Sequence, residues 1–212
     1  MEMPINLKLR KRMHKDIAYA QDILINELYK TFNNAIIHGG TAIWRCYKGN
    51  RFSEDVDVYI EKDKGKIEKL FESLKRNGFK IIKKRIKENS LYSVLSLNNV
   101  IIRFEAIFKH EKSILKEYEN SEGTLINVYT LTPEKLIEEK INTYLKRKRI
   151  RDLYDIFFLL RCADKGKIEK NIKNLLANFR NPIDEGNLKA ILISPPVPKA
   201  EEMLTYIEKW VK

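Results

Sequence analysis

Residues 38–60 read HGGTAIWRCYKGNRFSEDVDVYI. The run Ala35 to His38 leading into it is short and apolar and is closed by Gly39-Gly40, the pattern of a strand running into a tight turn. Thr41 to Cys46 then suits a short helix, and Asp55 to Ile60 alternates with period two, a second strand. Side chains on a strand point to opposite faces in turn, so Val56 and Val58 go to the core while Asp55 and Asp57 stand side by side outside it. Two carboxylates about 6–7 Å apart repel by roughly 2–3 kcal/mol at an effective dielectric of about 20. A hard divalent cation with oxygen ligands, usually Mg²⁺, relieves that repulsion.

A later strand repeats the logic. Over residues 100–108, Ile102, Phe104, Ala106 and Phe108 form the apolar face, which leaves Arg103 and Glu105 on the other. Glu105 is the natural third carboxylate. Asp55, Asp57 and Glu105 on one sheet face are the set needed to hold two metal ions about 3.5–4 Å apart for in-line phosphoryl transfer. Gly39-Gly40-Thr41 is the complement: glycines let the backbone approach a phosphate, and the N–H groups of a helix start favour an anion. Neither a Walker A sequence nor a GxGxxG fingerprint occurs, which disfavours P-loop and Rossmann sites.

Outward from this stretch, helical periods run over 13–31 and 64–76, and period-two strands over 79–86, 91–97 and 100–108, with Asn98-Asn99 as a hairpin turn. The tail differs, with helical periods at 132–146, 149–163, 165–180 and 200–211, the first opened by Thr132-Pro133-Glu134. The expectation is a mixed α/β (α+β) part with a mixed sheet over residues 1–115, then a helical bundle over 116–212 whose first stretch, 116–130, is a connection.

Composition bounds the function. The 212 residues carry 41 Lys+Arg against 29 Asp+Glu, a net charge of +12. Residues 1–110 hold 22 basic against 13 acidic side chains, so most of the excess, +9, lies in the half with the carboxylates. A basic balance suits a nucleic acid or another polyanion, and a Lys-rich solvated surface is the plain alternative. No apolar run approaches the roughly 20 residues of a membrane span, and the N-terminus has no apolar stretch of a secretory signal, so no membrane is expected. Cys46 and Cys162 are too few for a disulfide framework, which makes a reducing cytoplasm the expected location. His14, His38 and His110 show no ligand pattern, and His38 reads as structural.

The order of these parts resembles the DNA polymerase β-like nucleotidyltransferase superfamily: a glycine pair, then an acidic pair on the next strand. More narrowly, GGTAIW followed by RFSEDVD is similar to the AbiEii/AbiGii toxin nucleotidyltransferases, and LTPEKLIEEKINTYLKRKRIRDLYDIFFLL resembles the helices that follow in that family. The resemblance implies a nucleotidyltransferase fold closed by a helical unit. It implies an enzyme that takes an NTP with Mg²⁺ and transfers the NMP to an acceptor hydroxyl, with RNA such as tRNA as acceptor and a cognate antitoxin as partner. By this resemblance Asp55, Asp57 and Glu105 bind metal, Gly39, Gly40 and Thr41 contact the triphosphate, and Arg51 and Ser53 assist, the arginine as a bidentate phosphate clamp. Lys140 matches a lysine near the phosphates, and Asp152 a catalytic acid of the next helix; Asp155 stands beside it with its role open. A metal-dependent nuclease using the same carboxylates, or a non-catalytic nucleic-acid-binding module of this fold, are the alternatives.

Overall fold

The computed structural model describes residues 4–212, so Met1, Glu2 and Met3 of the first expected unit lie outside the described residues. In chain order the elements are α1 (Ile5–Lys8), α2 (Arg12–Thr31), β1 (Ile36–His38), α3 (Gly39–Cys46), β2 (Asp55–Ile60), α4 (Lys64–Arg76), β3 (Lys80–Ile86), β4 (Ser90–Leu97) and β5 (Val100–Phe108). They continue with β6 (Ile114–Glu119), β7 (Leu125–Thr130), α5 (Pro133–Arg147), α6 (Ile150–Leu159), α7 (Lys165–Ala177), α8 (Leu188–Ile191) and α9 (Ala200–Val211).

The strands form one mixed sheet of seven in the order β3-β4-β5-β2-β1-β7-β6. β2 pairs parallel to β5, and β1 parallel to β7, while the other neighbours are antiparallel. The β4–β5 hairpin turns at Asn98 and Asn99, both at positive φ, 48° and 68°, which asparagine tolerates best among residues with a side chain. The stretch 116–130, expected as a connection, is instead the β6–β7 hairpin, which extends the same sheet beyond β1. Its alternation is imperfect: Leu115 and Leu125 are more than half exposed, so period two gave no clean apolar face.

Two apolar clusters result. In one, α2 and α4 cover the sheet face built from Val56, Val58, Leu91, Leu95, Ile102, Phe104 and Ala106. In the other, α5, α6, α7 and α9 pack together and reach the sheet unit through Ile36, Ile43 and Tyr59. Helix starts follow capping chemistry: Asp63 accepts from the Lys66 N–H at 2.9 Å, and Thr132 with Pro133 opens α5. The face of β2 and β5 turned away from α2 is therefore left to meet the N-terminus of α3 and the α5–α6 pair.

Candidate active site

β2 and β5 run parallel with Asp55 opposite Arg103 and Asp57 opposite Glu105, and β1 sets His38 opposite Asp57. Opposite residues in register share a face, so the three carboxylates stand on one sheet face, with Arg103 and His38 as neighbours. A cavity of about 290 Å³ opens over them, lined by Gly40, Arg51, Ser53, Asp55, Asp57, Arg103, Glu105, Lys140, Arg147 and Arg151. A larger hollow of about 740 Å³, beside Cys46, Lys116 and Cys162, contains none of these residues.

The glycine pair is not a turn before the helix but its first two residues. Gly39 has φ +68°, and a Cβ there would collide with the Asp57 carboxylate; a Cβ on Gly40 would come within 2.6 Å of Ser53 Oγ. Only glycine lets α3 begin this close to the acids. Thr41 departs from expectation. It is fully buried, and its hydroxyl donates to the Asp55 carbonyl, so it pins α3 to β2 and does not line the cavity.

Electrostatics divide the site into two layers. On the floor, burial pushes the Asp57 carboxyl above the usual carboxylate range; Asp55 adds to that rise, while His38, Lys140 and Arg151 oppose it. Glu105 is raised by burial and then by Asp57 and Asp55. Behind the wall the pairing is reversed. Arg51 donates through Nε and Nη2 to the two oxygens of Asp155, both at 2.8 Å, and Lys140 Nζ lies 2.7 Å from Asp155 and 3.5 Å from Asp152. Arg147 forks onto Asp152 at 2.7 and 2.8 Å. Burial alone would raise Asp155, yet Arg51 and Lys140 hold it below the usual range.

This pairing bears on two expected site residues. Arg51 reaches the cavity wall, but its fork is taken by Asp155, so the bidentate phosphate clamp is not open on this residue. Asp152 is fully buried and absent from the cavity lining; it accepts the Arg147 fork and lies 3.5 Å from Lys140 Nζ. Asp155 likewise accepts the Arg51 fork and lies 2.7 Å from Lys140 Nζ. Arg103 is a cavity residue that was not singled out from the sequence, although it alternates with Glu105 on one strand face; Arg147 and Arg151 come from the basic run 146–151, a candidate contact for an RNA backbone. His38 stacks on Tyr59 at 3.9 Å and its Nδ1 lies 3.3 Å from Glu139, which also accepts from Tyr59.

The floor fits a divalent cation in donor chemistry: three hard oxygen donors share one face, and the negative charge that adds to the rise of Asp57 and Glu105 is one that a cation relieves. As the side chains stand, no three His, Cys, Asp or Glu groups among the described residues converge to hold a metal ion. Asp55 instead gives both oxygens to Arg103, at 2.6 and 3.0 Å. Arg103 is thus a counter-ion of Asp55.

The family model for the nucleotidyl transferase AbiEii toxin, of a type IV toxin–antitoxin system, matches residues 23–203. The chain belongs to the AbiEii family. It is a nucleotidyltransferase, and the AbiEii match spans both the sheet with its carboxylates and the helices that supply Lys140. Solved structures share the AbiEii chain's fold at low identity. JHP933 from Helicobacter pylori is 17% identical with a TM-score of 0.66, over 95% of this chain and 91% of that one. MenT4, a nucleotidyltransferase toxin from Mycobacterium tuberculosis H37Rv, is 18% identical with a TM-score of 0.63, over 94% and 82%. The antibiotic-resistance factor ANT(2'')-Ia is 12% identical with a TM-score of 0.50, over 76% and 92%. No curated protein matches the AbiEii chain. No helix among the described residues is long and apolar enough to cross a membrane.

Proposed function

We propose that this protein is a cytoplasmic toxin that transfers an NMP from an NTP to a hydroxyl of an RNA such as tRNA, with two Mg²⁺ ions. The observation that carries the reading is the cavity itself, with three carboxylates on its floor and Lys140, Arg147 and Arg151 also in its lining. Asp55, Asp57 and Glu105 would hold the metal, which when bound neutralises charge at the transferring phosphoryl group and favours the ionised acceptor oxygen.

The chain's own residues do the rest. Gly39 and Gly40 bring backbone N–H groups of α3 beside the acids, where an anionic phosphate is favoured. Ser53 offers a hydroxyl next to Gly40. Lys140 and Arg151 face the cavity as cations, suited to the charge that collects on departing pyrophosphate. Asp152 and Asp155 fix Lys140, Arg51 and Arg147 before substrate arrives, so little reorganisation is needed. The acceptor oxygen bonds to the α-phosphorus, the bond to the β,γ-pyrophosphate breaks, and the hydroxyl proton is released. Asp55 must leave Arg103 for the carboxylate set to assemble. We further propose two units acting as opposite walls of this cleft, with the boundary after Thr130 where β7 ends rather than at 115.

Incubation with each labelled NTP, Mg²⁺ and total RNA tests the reading. Label should enter RNA with the wild type and fall at least about 10³-fold with Asp57→Ala. Shortening of the RNA instead would identify a nuclease, and transfer that survives the substitution would remove the carboxylates from the chemistry.

A further inference from the structure

The site's sheet face does not end at Glu105. In register, Glu105 lies opposite Tyr92 and Tyr92 opposite Arg85; in the next row Asp55, Arg103, Val94 and Lys83 follow one another across β2, β5, β4 and β3. Strands are about 4.8 Å apart, so Arg85 lies about 14 Å from Asp57 on the same face. A second hollow of about 290 Å³, lined by Lys83, Arg85, Lys87, Ser90 and Tyr92, sits there. Lys83 Nζ lies 5.4 Å from the Tyr92 ring centroid, and Lys83, Arg85 and Lys87 are exposed.

The two faces of β3 are treated differently. Lys84, turned to the helix side, is paired with Glu68 at 2.7 Å and lies over Phe71. Among the described residues no carboxylate is within ion-pair distance of Lys83, Arg85 or Lys87 on the cleft side. Charges on an edge strand also guard against edge-to-edge pairing. That role needs neither an aromatic ring among them nor a continuous face leading to the carboxylates. Unpaired cations around an accessible aromatic are the combination that binds single-stranded nucleic acid, with phosphates on the cations and a base on the ring.

We propose that the cleft face of β3 and β4 is the docking platform for the acceptor, a single-stranded segment of RNA whose backbone lies on Lys83, Arg85 and Lys87 and one of whose bases stacks on Tyr92. The inference rests on the reading of the acceptor as RNA. It adds where that RNA enters: from the β3 edge, along the sheet, toward Asp57.

The test uses the full chain and a fluorescent single-stranded oligoribonucleotide of about 16 nucleotides, followed by anisotropy between about 50 and 200 mM salt. Lys83→Gln with Arg85→Gln and Lys87→Gln should weaken binding about tenfold or more and lower the slope of log affinity against log salt by about 2. Tyr92→Leu should weaken binding about fivefold with the slope unchanged. A triple variant of equal charge change on the helical unit, Lys165→Gln with Lys170→Gln and Lys189→Gln, should change it less than about twofold. Thermal unfolding and NTP binding should be unaltered in all three. Equal losses in the two charge variants, or a normal response in Tyr92→Leu, would overturn the platform alone. Failure of the wild type to bind the oligoribonucleotide would overturn both the platform and the RNA-acceptor reading. A change of oligomeric state in the β3 variant would identify the face as a protein interface and overturn the platform.

Discussion

Arg103 and Asp155 play opposite parts: Arg103 is the counter-ion of an acid on the cavity floor, whereas Asp155, buried behind the wall, is the counter-ion of two cations. Arg103 occupies an acid that a cation needs, through a half-exposed fork of the kind worth about 0.2–1 kcal/mol. Arg103→Gln should therefore bind Mn²⁺ up to about fivefold more tightly in the absence of NTP, measured by titration calorimetry; unchanged affinity would mean that Arg103 does not compete. Asp155 is fully buried between Arg51 and Lys140, and removing it leaves two buried cations without their main partner. Asp155→Ala should cost about 3–5 kcal/mol in urea unfolding. The pH dependence has a definite sign. A carboxyl held below its ordinary value near 3.8 contributes fully above that value and loses its contribution as pH falls through the folded-state value. The stability gap between wild type and Asp155→Asn should stay level from neutral pH to about 4 and close below it.

At the scale of elements, the start of α3 is the most constrained point. Gly39 combines a positive φ of 68° with contact to Asp57, so Gly39→Ala strains the backbone and displaces a carboxylate at once. Transfer activity should fall at least about 100-fold with a loss of stability of about 1–3 kcal/mol, read by label transfer and urea unfolding. Much of this framework was legible beforehand. Period two at Asp55 to Val58 placed two acids opposite two buried valines, and the same alternation placed Glu105, because those strands have one covered face. β6 and β7 were not legible, since each leaves a leucine exposed and β6 mixes charges into both faces. Nor were the partners of the cations. Arg51 and Asp155 are 104 residues apart, and Arg151, four residues from Asp155 in sequence, lines the cavity instead of pairing with it.

For the molecule as a whole, the charge balance of +12 and the acidic floor are complementary parts of one design. Asp57 and Glu105 are raised in the folded state, so their ionisation opposes folding. The associated stability is greatest below the ordinary carboxylate value and declines as pH rises through the folded-state value. At neutral pH, Asp57→Asn should accordingly melt about 2–4 °C higher than wild type without divalent cation, and Mg²⁺ should raise the wild type more than the variant. The most direct measurement compares the same NTP labelled at the α- or the γ-phosphate, incubated with Mg²⁺ and RNA. The expected result is label in the RNA from the α-phosphate alone, pyrophosphate carrying the γ-label, and neither with Asp57→Ala. Label in the RNA from the γ-phosphate, or α-label transfer undiminished in Asp57→Ala, would contradict nucleotidyl transfer at this cavity.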